Sequence, residues 1–214
     1  ADYHVASRTI AFYRLPLTDN AKTYESRLKT KQRNNIRRYH KQLSGQANLT
    51  LQNLQDLMSP EEIFTLLENL HSQRWLSKDE TGAFERNPKF KEFLKAYTTR
   101  ASKLGQIAAF CLFQGHKPIA IRFGFTYDNT MYEIQSGFDP SLNGAGLVAI
   151  DMAIKAAISD HLKVYDFLAF EGEYKQRFGA IKQPGRRLFA IRKNLLGWLI
   201  TRAGLWPTGR YIQM

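Results

Sequence analysis

Residues 106 to 168 constrain the fold more than any other part of this chain. Three strand-like segments, at about 106–114, 118–126 and 131–137, have Gly115-His116 and Asp128-Asn129 as turn residues between them. Turns this short join antiparallel strands as hairpins. The run Asp139-Pro140-Ser141-Leu142-Asn143-Gly144-Ala145-Gly146 then breaks the alternation. A helix rich in small residues is expected at 147–161 and a further strand at 164–168. A helical crossover returns the chain in parallel, so the sheet passes from antiparallel to parallel pairing at this point. Strands that change sense in this way splay and leave a slot.

The first half supplies helices. Residues 8–15 read as an extended segment ending at Pro16, and Thr18-Asp19-Asn20 can cap one long helix running to about residue 43, where Ser44-Gly45 stops it. Residues 47–54 read as a weak strand. Ser59-Pro60-Glu61-Glu62 carries a cap, a first-turn proline and first-turn acids, which predicts a helix to about residue 76. Asn87-Pro88 opens another that ends at Gly105. A short helix near 173–178 and a last strand near 187–191 complete an α/β (α+β) chain with a mixed sheet and helices on both faces. The expected division is an extended segment and basic helical arm at 1–45, one domain at 46–192, and a basic amphipathic tail at 193–214.

Gly144 and Gly146 stand where the loop feeds the helix. Without side chains there, backbone N–H groups and the positive helix end can approach phosphate oxygens, so Asn143, Gly144, Ala145, Gly146 and Leu147 are candidates for holding a phosphate-bearing cofactor. A tight turn with no ligand accounts for two glycines equally well.

The order of elements resembles the GNAT acetyltransferase superfamily. The phrases Ser136-Gly137-Phe138-Asp139-Pro140, Tyr165-Asp166-Phe167-Leu168, Tyr174-Lys175 and Phe178-Gly179 resemble the branch associated with cellulose and exopolysaccharide biosynthesis, itself similar to Fem-type aminoacyltransferases. Lys31-Gln32-Arg33-Asn34-Asn35-Ile36-Arg37-Arg38 resembles the basic helix of that branch, and His71 with Arg74-Trp75 its His-x-x-Arg-Trp element. The resemblance implies acetyl-CoA or another acyl-CoA as co-substrate, with aminoacyl-tRNA as the Fem-like alternative, and a small-molecule or glycan-precursor acceptor. The loop departs from the usual pattern in having Ser141 three residues before the first glycine, where Arg or Gln is preferred.

Acyl transfer needs a deprotonated acceptor, a stabilised oxyanion and a proton for the leaving group. Tyr174 is the candidate acid, and Lys175 could stabilise negative charge. Asp166, Glu133 and His71 are candidate bases, while Arg74, Trp75 and Asp139 are candidates for binding substrate. Each has a structural alternative: Tyr174 packed on Phe178, Lys175 solvated, Asp166 capping the following turn, Glu133 on a polar strand face, and His71 hydrogen-bonded within its helix.

Charge is concentrated at the flanks of the chain. The net charge is +12; residues 22–41 hold eight basic side chains against Glu25 alone, and residues 175–214 hold nine and no acid. These segments would attract tRNA or an anionic membrane surface, or simply be solvated. The run Leu195-Leu196-Gly197-Trp198-Leu199-Ile200, with basic residues around it, could lie on such a surface or pack on the core. A single cysteine, Cys111, excludes an internal disulfide. His4, His40, His71, His116 and His161 lack ligand spacing, which argues against a metal site, and the missing Gly-x-Ser-x-Gly element argues against a serine hydrolase. With no apolar run near about 18 residues, a cytoplasmic protein is expected, with peripheral attachment to the inner face of the membrane open. The first residue is Ala1, so the chain could be part of a longer protein with a partner domain upstream.

Overall fold

A computed structural model describes residues 2–202 except Lys78, Phe170 and Glu171. The basic tail expected at 193–214 therefore lies partly outside the described residues, from 203 onward, and Arg210 with it.

The strands are β1 (Tyr3–Pro16), β2 (Leu49–Asn53), β3 (Ile107–Gln114), β4 (Lys117–Tyr127), β5 (Thr130–Phe138), β6 (Val164–Ala169) and β7 (Ile181–Arg192). They form one sheet in the order β2-β3-β4-β5-β6-β1-β7. Every neighbouring pair is antiparallel except β5 and β6, which run parallel. The mixed sheet expected from the sequence is therefore present, including its single change of sense.

The helices are α1 (Ala21–Arg27), α2 (Thr30–Ser44), α3 (Pro60–Leu76), α4 (Ala83–Arg86), α5 (Pro88–Ser102), α6 (Ala145–Ser159), α7 (Glu173–Arg177) and α8 (Leu195–Arg202). Alternation along β3 sorts the first six between two faces. Ala108 and Phe110 pack with Tyr24, Ile36 and Ile154 from α1, α2 and α6. Ile107, Ala109 and Cys111 pack with Ile63, Leu67 and Leu94 from α3 and α5. Cys111 is fully buried, and loss of water pushes its thiol up to about 12, so it is unreactive.

Three expectations need correction. The single helix over 18–43 is two: Leu28 turns to an extended conformation (ψ 143) and is buried, with α2 starting two residues later. No glycine or proline marks that corner; the core draws Leu28 in. The last strand is longer than 187–191, because β7 pairs with β1 from Tyr3↔Arg192 to Arg14↔Ile181. Pro184-Gly185 reads as a break in the sequence, yet β7 is an edge strand, where proline's missing N–H costs no ladder bond. The segment 1–45 is not simply an arm, since β1 lies between β6 and β7 inside the sheet.

α3 starts as its sequence predicts. Ser59 accepts from the Glu62 N–H at 3.3 Å, and the Glu62 carboxylate accepts from the Ser59 N–H at 2.8 Å. This reciprocal cap fixes the first turn of the helix that carries His71, Arg74 and Trp75.

Candidate active site

β5 and β6 pair over only three positions, Thr130↔Val164 to Tyr132↔Asp166. Register between β4 and β5 then shifts around Phe123 and Gly124, a bulge that bends β5. Beyond it the two strands part, and a cavity of about 280 Å³ opens. Arg122, Phe138, Gly144, Gly146, Tyr174 and Arg74 are among its walls, drawn from β4, β5, the start of α6, α7 and α3.

The glycines are there for space as well as conformation. Gly144 has φ +83, and a Cβ on it would stand 2.3 Å from the Tyr39 ring. A Cβ on Gly146 would stand 2.9 Å from Phe138 Cδ1, inside the slot. The Asp139 carboxylate accepts from Lys117 Nζ at 2.7 Å and from the Ser141 N–H at 3.0 Å, which fixes the loop leading into α6. Asp139 thus shapes the loop rather than lining the slot. Leu147 joins the two glycines at the wall, whereas Ala145 is buried in the core and Asn143 is exposed.

Tyr174 is 38% exposed at one wall. Its phenol is held above the usual tyrosine range, first by loss of water, with Arg122 pulling the other way. It is therefore protonated at neutral pH, as a proton donor must be. Lys175 follows it but is buried, and its ammonium donates to the carbonyls of Phe167 (3.0 Å) and Ala169 (2.8 Å). Burial brings it down to about 8. The expectation of a solvated or slot-facing lysine gives way to a tie between α7 and the end of β6, which sets the position of Tyr174.

Arg74 reaches the slot. It donates to Ser136 Oγ at 3.1 Å and lies against the rings of Phe138 and Trp75, while its buried Nε has no partner. Trp75 turns away: its indole N–H donates to His71 Nε2 at 3.0 Å, and Arg86 covers its ring. His71 is buried beside Phe84 and pushed down to about 4, first by loss of water. An imidazole this acidic is a poor base; here it holds Trp75.

Glu133 and Asp166 are also withdrawn from the slot. Glu133 accepts from Arg122 Nε at 2.9 Å and from the Tyr165 hydroxyl at 2.6 Å. Asp166 accepts from Arg14 Nε at 2.7 Å and from the Leu168 N–H at 2.7 Å, which steadies Leu168 at φ +57. The turn-capping alternative for Asp166 describes what is seen. A carboxylate with both oxygens engaged has little capacity to take a proton from an acceptor.

Arg122, Phe138, Ile150 and Phe178 complete the slot without having been expected there. Arg122 is fully enclosed; burial alone would weaken its charge, but Glu133 outweighs it and keeps the guanidinium protonated. A lone arginine amid the apolar residues Ile119-Ala120-Ile121 and Phe123 was the signal available in the sequence. Among the described residues no cluster of His, Cys, Asp and Glu could hold a metal ion, and no helix is long and apolar enough to cross a membrane.

The fold has counterparts among solved structures. A conserved protein of unknown function from Bacteroides thetaiotaomicron superposes with TM-score 0.58 at 15% identity, covering 90% of this chain and 63% of that one. A C-terminal domain assigned to lysylphosphatidylglycerol synthetase from Agrobacterium fabrum gives 0.54 at 11%, covering 94% and 66%. L-PGS from Bacillus licheniformis gives 0.54 at 11%, covering 94% and 67%. At these identities the likeness is one of fold, and the chain spans about two thirds of the length of these structures. No curated protein matches the sequence. The model of the acetyltransferase (GNAT) domain matches residues 30–176, from the start of α2 to α7. With more than half its length matched across the slot-forming elements, the chain belongs to the acetyltransferase (GNAT) domain family.

Proposed function

We propose that this chain moves an acyl group from acyl-CoA directly to an amine or hydroxyl of a sugar or amino-acid-derived acceptor, at the slot between β5 and β6. The observation that carries the reading is Tyr174, a protonated phenol facing the same cavity as the first turn of α6. In the proposed pose the diphosphate of the donor rests against Gly144 and Gly146, and its thioester points toward Tyr174. The acceptor's lone pair attacks the carbonyl carbon, and charge develops on the carbonyl oxygen near Arg122 and Arg74. Collapse breaks the C–S bond, and the departing sulfur takes the Tyr174 proton. Among the described residues no carboxylate lines the slot, and in this reading the acceptor's own proton passes to water. Partial exposure of Tyr174 lets solvent restore its proton.

Calorimetry or thermal shift with acetyl-CoA and longer acyl-CoAs tests the donor. Saturable stabilisation, lost in Gly146→Val, is the expected result. Absence of any stabilisation by CoA esters at millimolar concentration removes acyl-CoA as the donor.

A second reading replaces acyl-CoA with aminoacyl-tRNA. It draws on the Agrobacterium fabrum domain assigned to lysylphosphatidylglycerol synthetase and on the cationic sequence segments 22–41 and 175–214. Consumption of a charged tRNA, with no response to CoA esters, would select it. Salt-sensitive binding of tRNA or anionic liposomes without turnover would instead identify an inactive binding module. An acceptor from cellulose or exopolysaccharide synthesis is the finer form of the first reading, tested by supplying glycan precursors.

A further inference from the structure

α7 has a second side. Tyr174 and Phe178 face the slot, while Glu173, Gln176 and Arg177 border a separate cavity of about 550 Å³. The opposite wall of that cavity is the corner between α1 and α2, with Arg27, Lys29, Lys31 and Gln32. Among the described residues four cations thus face one carboxylate, and that carboxylate, Glu173, is already bonded to Arg177 at 3.0 Å.

The corner itself is rigidly made. Arg33 Nη1 donates to the Leu28 carbonyl at 2.6 Å and to the Ser26 carbonyl at 3.3 Å, closing the end of α1 against the start of α2. α2 then begins with a lysine at its cap position, no side-chain cap and no acid in its first turn. Lysines at Lys29 and Lys31 oppose the positive end of the helix dipole, an arrangement that weakens a helix unless an anion is present. Gln32, in that same first turn, is 6% exposed and lines the cavity, and its buried side-chain nitrogen has no hydrogen-bond acceptor. A buried amide donor without an acceptor is a cost that a bound oxyanion would remove.

We propose that this cavity is a binding site for a diphosphate-bearing small molecule, held by Lys29, Lys31, Arg27 and Arg177 around the open first turn of α2. Its volume falls within the range of about 300–1,000 Å³ usual for small-molecule sites. A recess between two elements suits a compact phosphorylated ligand better than a nucleic-acid strand or a bilayer, which spread over open cationic surfaces. The assignment does not depend on acyl transfer at the slot, because the two cavities lie on different sides of α7.

Inorganic pyrophosphate, titrated into the ¹⁵N-labelled chain, tests the site. The backbone amides of Thr30 and Lys31 and the Gln32 side-chain NH₂ are expected to shift saturably. The midpoint should rise at least about tenfold in the double variant Lys29→Ala/Lys31→Ala, the loss expected for removal of a charged hydrogen bond. Both lysines are exposed, so the variant should fold normally. The same shifts should persist in Gly146→Val, whose slot is obstructed. Uridine diphosphate forms a second arm: tighter binding than pyrophosphate identifies a nucleoside-linked ligand, and equal binding identifies the diphosphate alone. The proposal is overturned if those amides do not respond, if their midpoint is unchanged in the double variant, or if the response disappears in Gly146→Val.

Discussion

Arg122 and Glu133 face each other across β4 and β5 as a buried ion pair, with Tyr165 donating to the same carboxylate at 2.6 Å. Arg122 forms part of the slot wall while Glu133 stands behind it. Glu133→Gln keeps the shape but leaves a buried guanidinium uncompensated. The expected loss is about 3 kcal/mol of unfolding free energy, in the range for breaking one side of a buried pair. Urea denaturation of the two proteins checks it; a loss below about 1 kcal/mol would mean that the slot's solvent compensates the charge.

Tyr174→Phe removes one oxygen and nothing from the packing on Phe167, whose ring stands edge-on at 6.3 Å. If the phenol delivers the proton, kcat falls by about 10²–10⁴-fold while donor affinity stays near normal. Steady-state rates with calorimetric donor binding separate the two. Unchanged kcat with chemistry rate-limiting would leave Tyr174 a packing residue.

The two slot glycines should fail differently. Gly146→Val drives its side chain into Phe138, so the donor KM should rise steeply or binding vanish while the fold survives. Gly144→Ala meets both a left-handed backbone and the Tyr39 ring, and is expected to lose about 1–3 kcal/mol of stability. Normal donor binding by Gly146→Val would place the donor elsewhere.

His71 sets a pH dependence. Its native imidazole stays neutral down to about 4, against an ordinary 6.5. Between those values the unfolded chain binds a proton that the native chain refuses, so stability falls as pH falls from 6.5 to 4 and this contribution is constant below. The full effect is about 3 kcal/mol. His71→Phe, filling the same place beside Phe84, should flatten this part of the acid limb, as measured by denaturation at pH 6.5 and 4.5. An acid limb as steep as the parent's would assign the loss to other groups.

The antiparallel strands were legible because each step is local: alternation, then a turn, then alternation. The capped start of α3 was legible for the same reason. The bond of His71 to Trp75 and the turn cap of Asp166 are local and stood among the alternatives. The withdrawal of Glu133 and the ion pair that completes that of Asp166 were not legible, because those partners come from elsewhere in the chain. Arg14 lies 152 positions from Asp166, and Tyr165 lies 32 from Glu133. Residue type was right for chemistry, but only the register of β1 on β6 and the pairing across β4 and β5 reveal which oxygens are already engaged. Arg122 was overlooked for a related reason, its counter-ion being visible only once the hairpin is closed. The break at Leu28 and the length of β7 were set by tertiary packing against weak local signals.

The position of β1 has a consequence for synthesis on the ribosome. This strand can be paired on both sides only after β6 and β7 have emerged, since it runs from Tyr3 against Arg192 of β7 to Pro16 against Val164 of β6. Until β6 emerges the nascent chain carries a waiting strand, and until β7 emerges β1 presents an unmatched edge on its other side. Closure over so long a span is slow, and open edges of this kind recruit other chains. Yield of soluble protein should therefore depend on how long translation leaves that gap open, and slowing elongation beyond residue 169 should favour aggregation over folding.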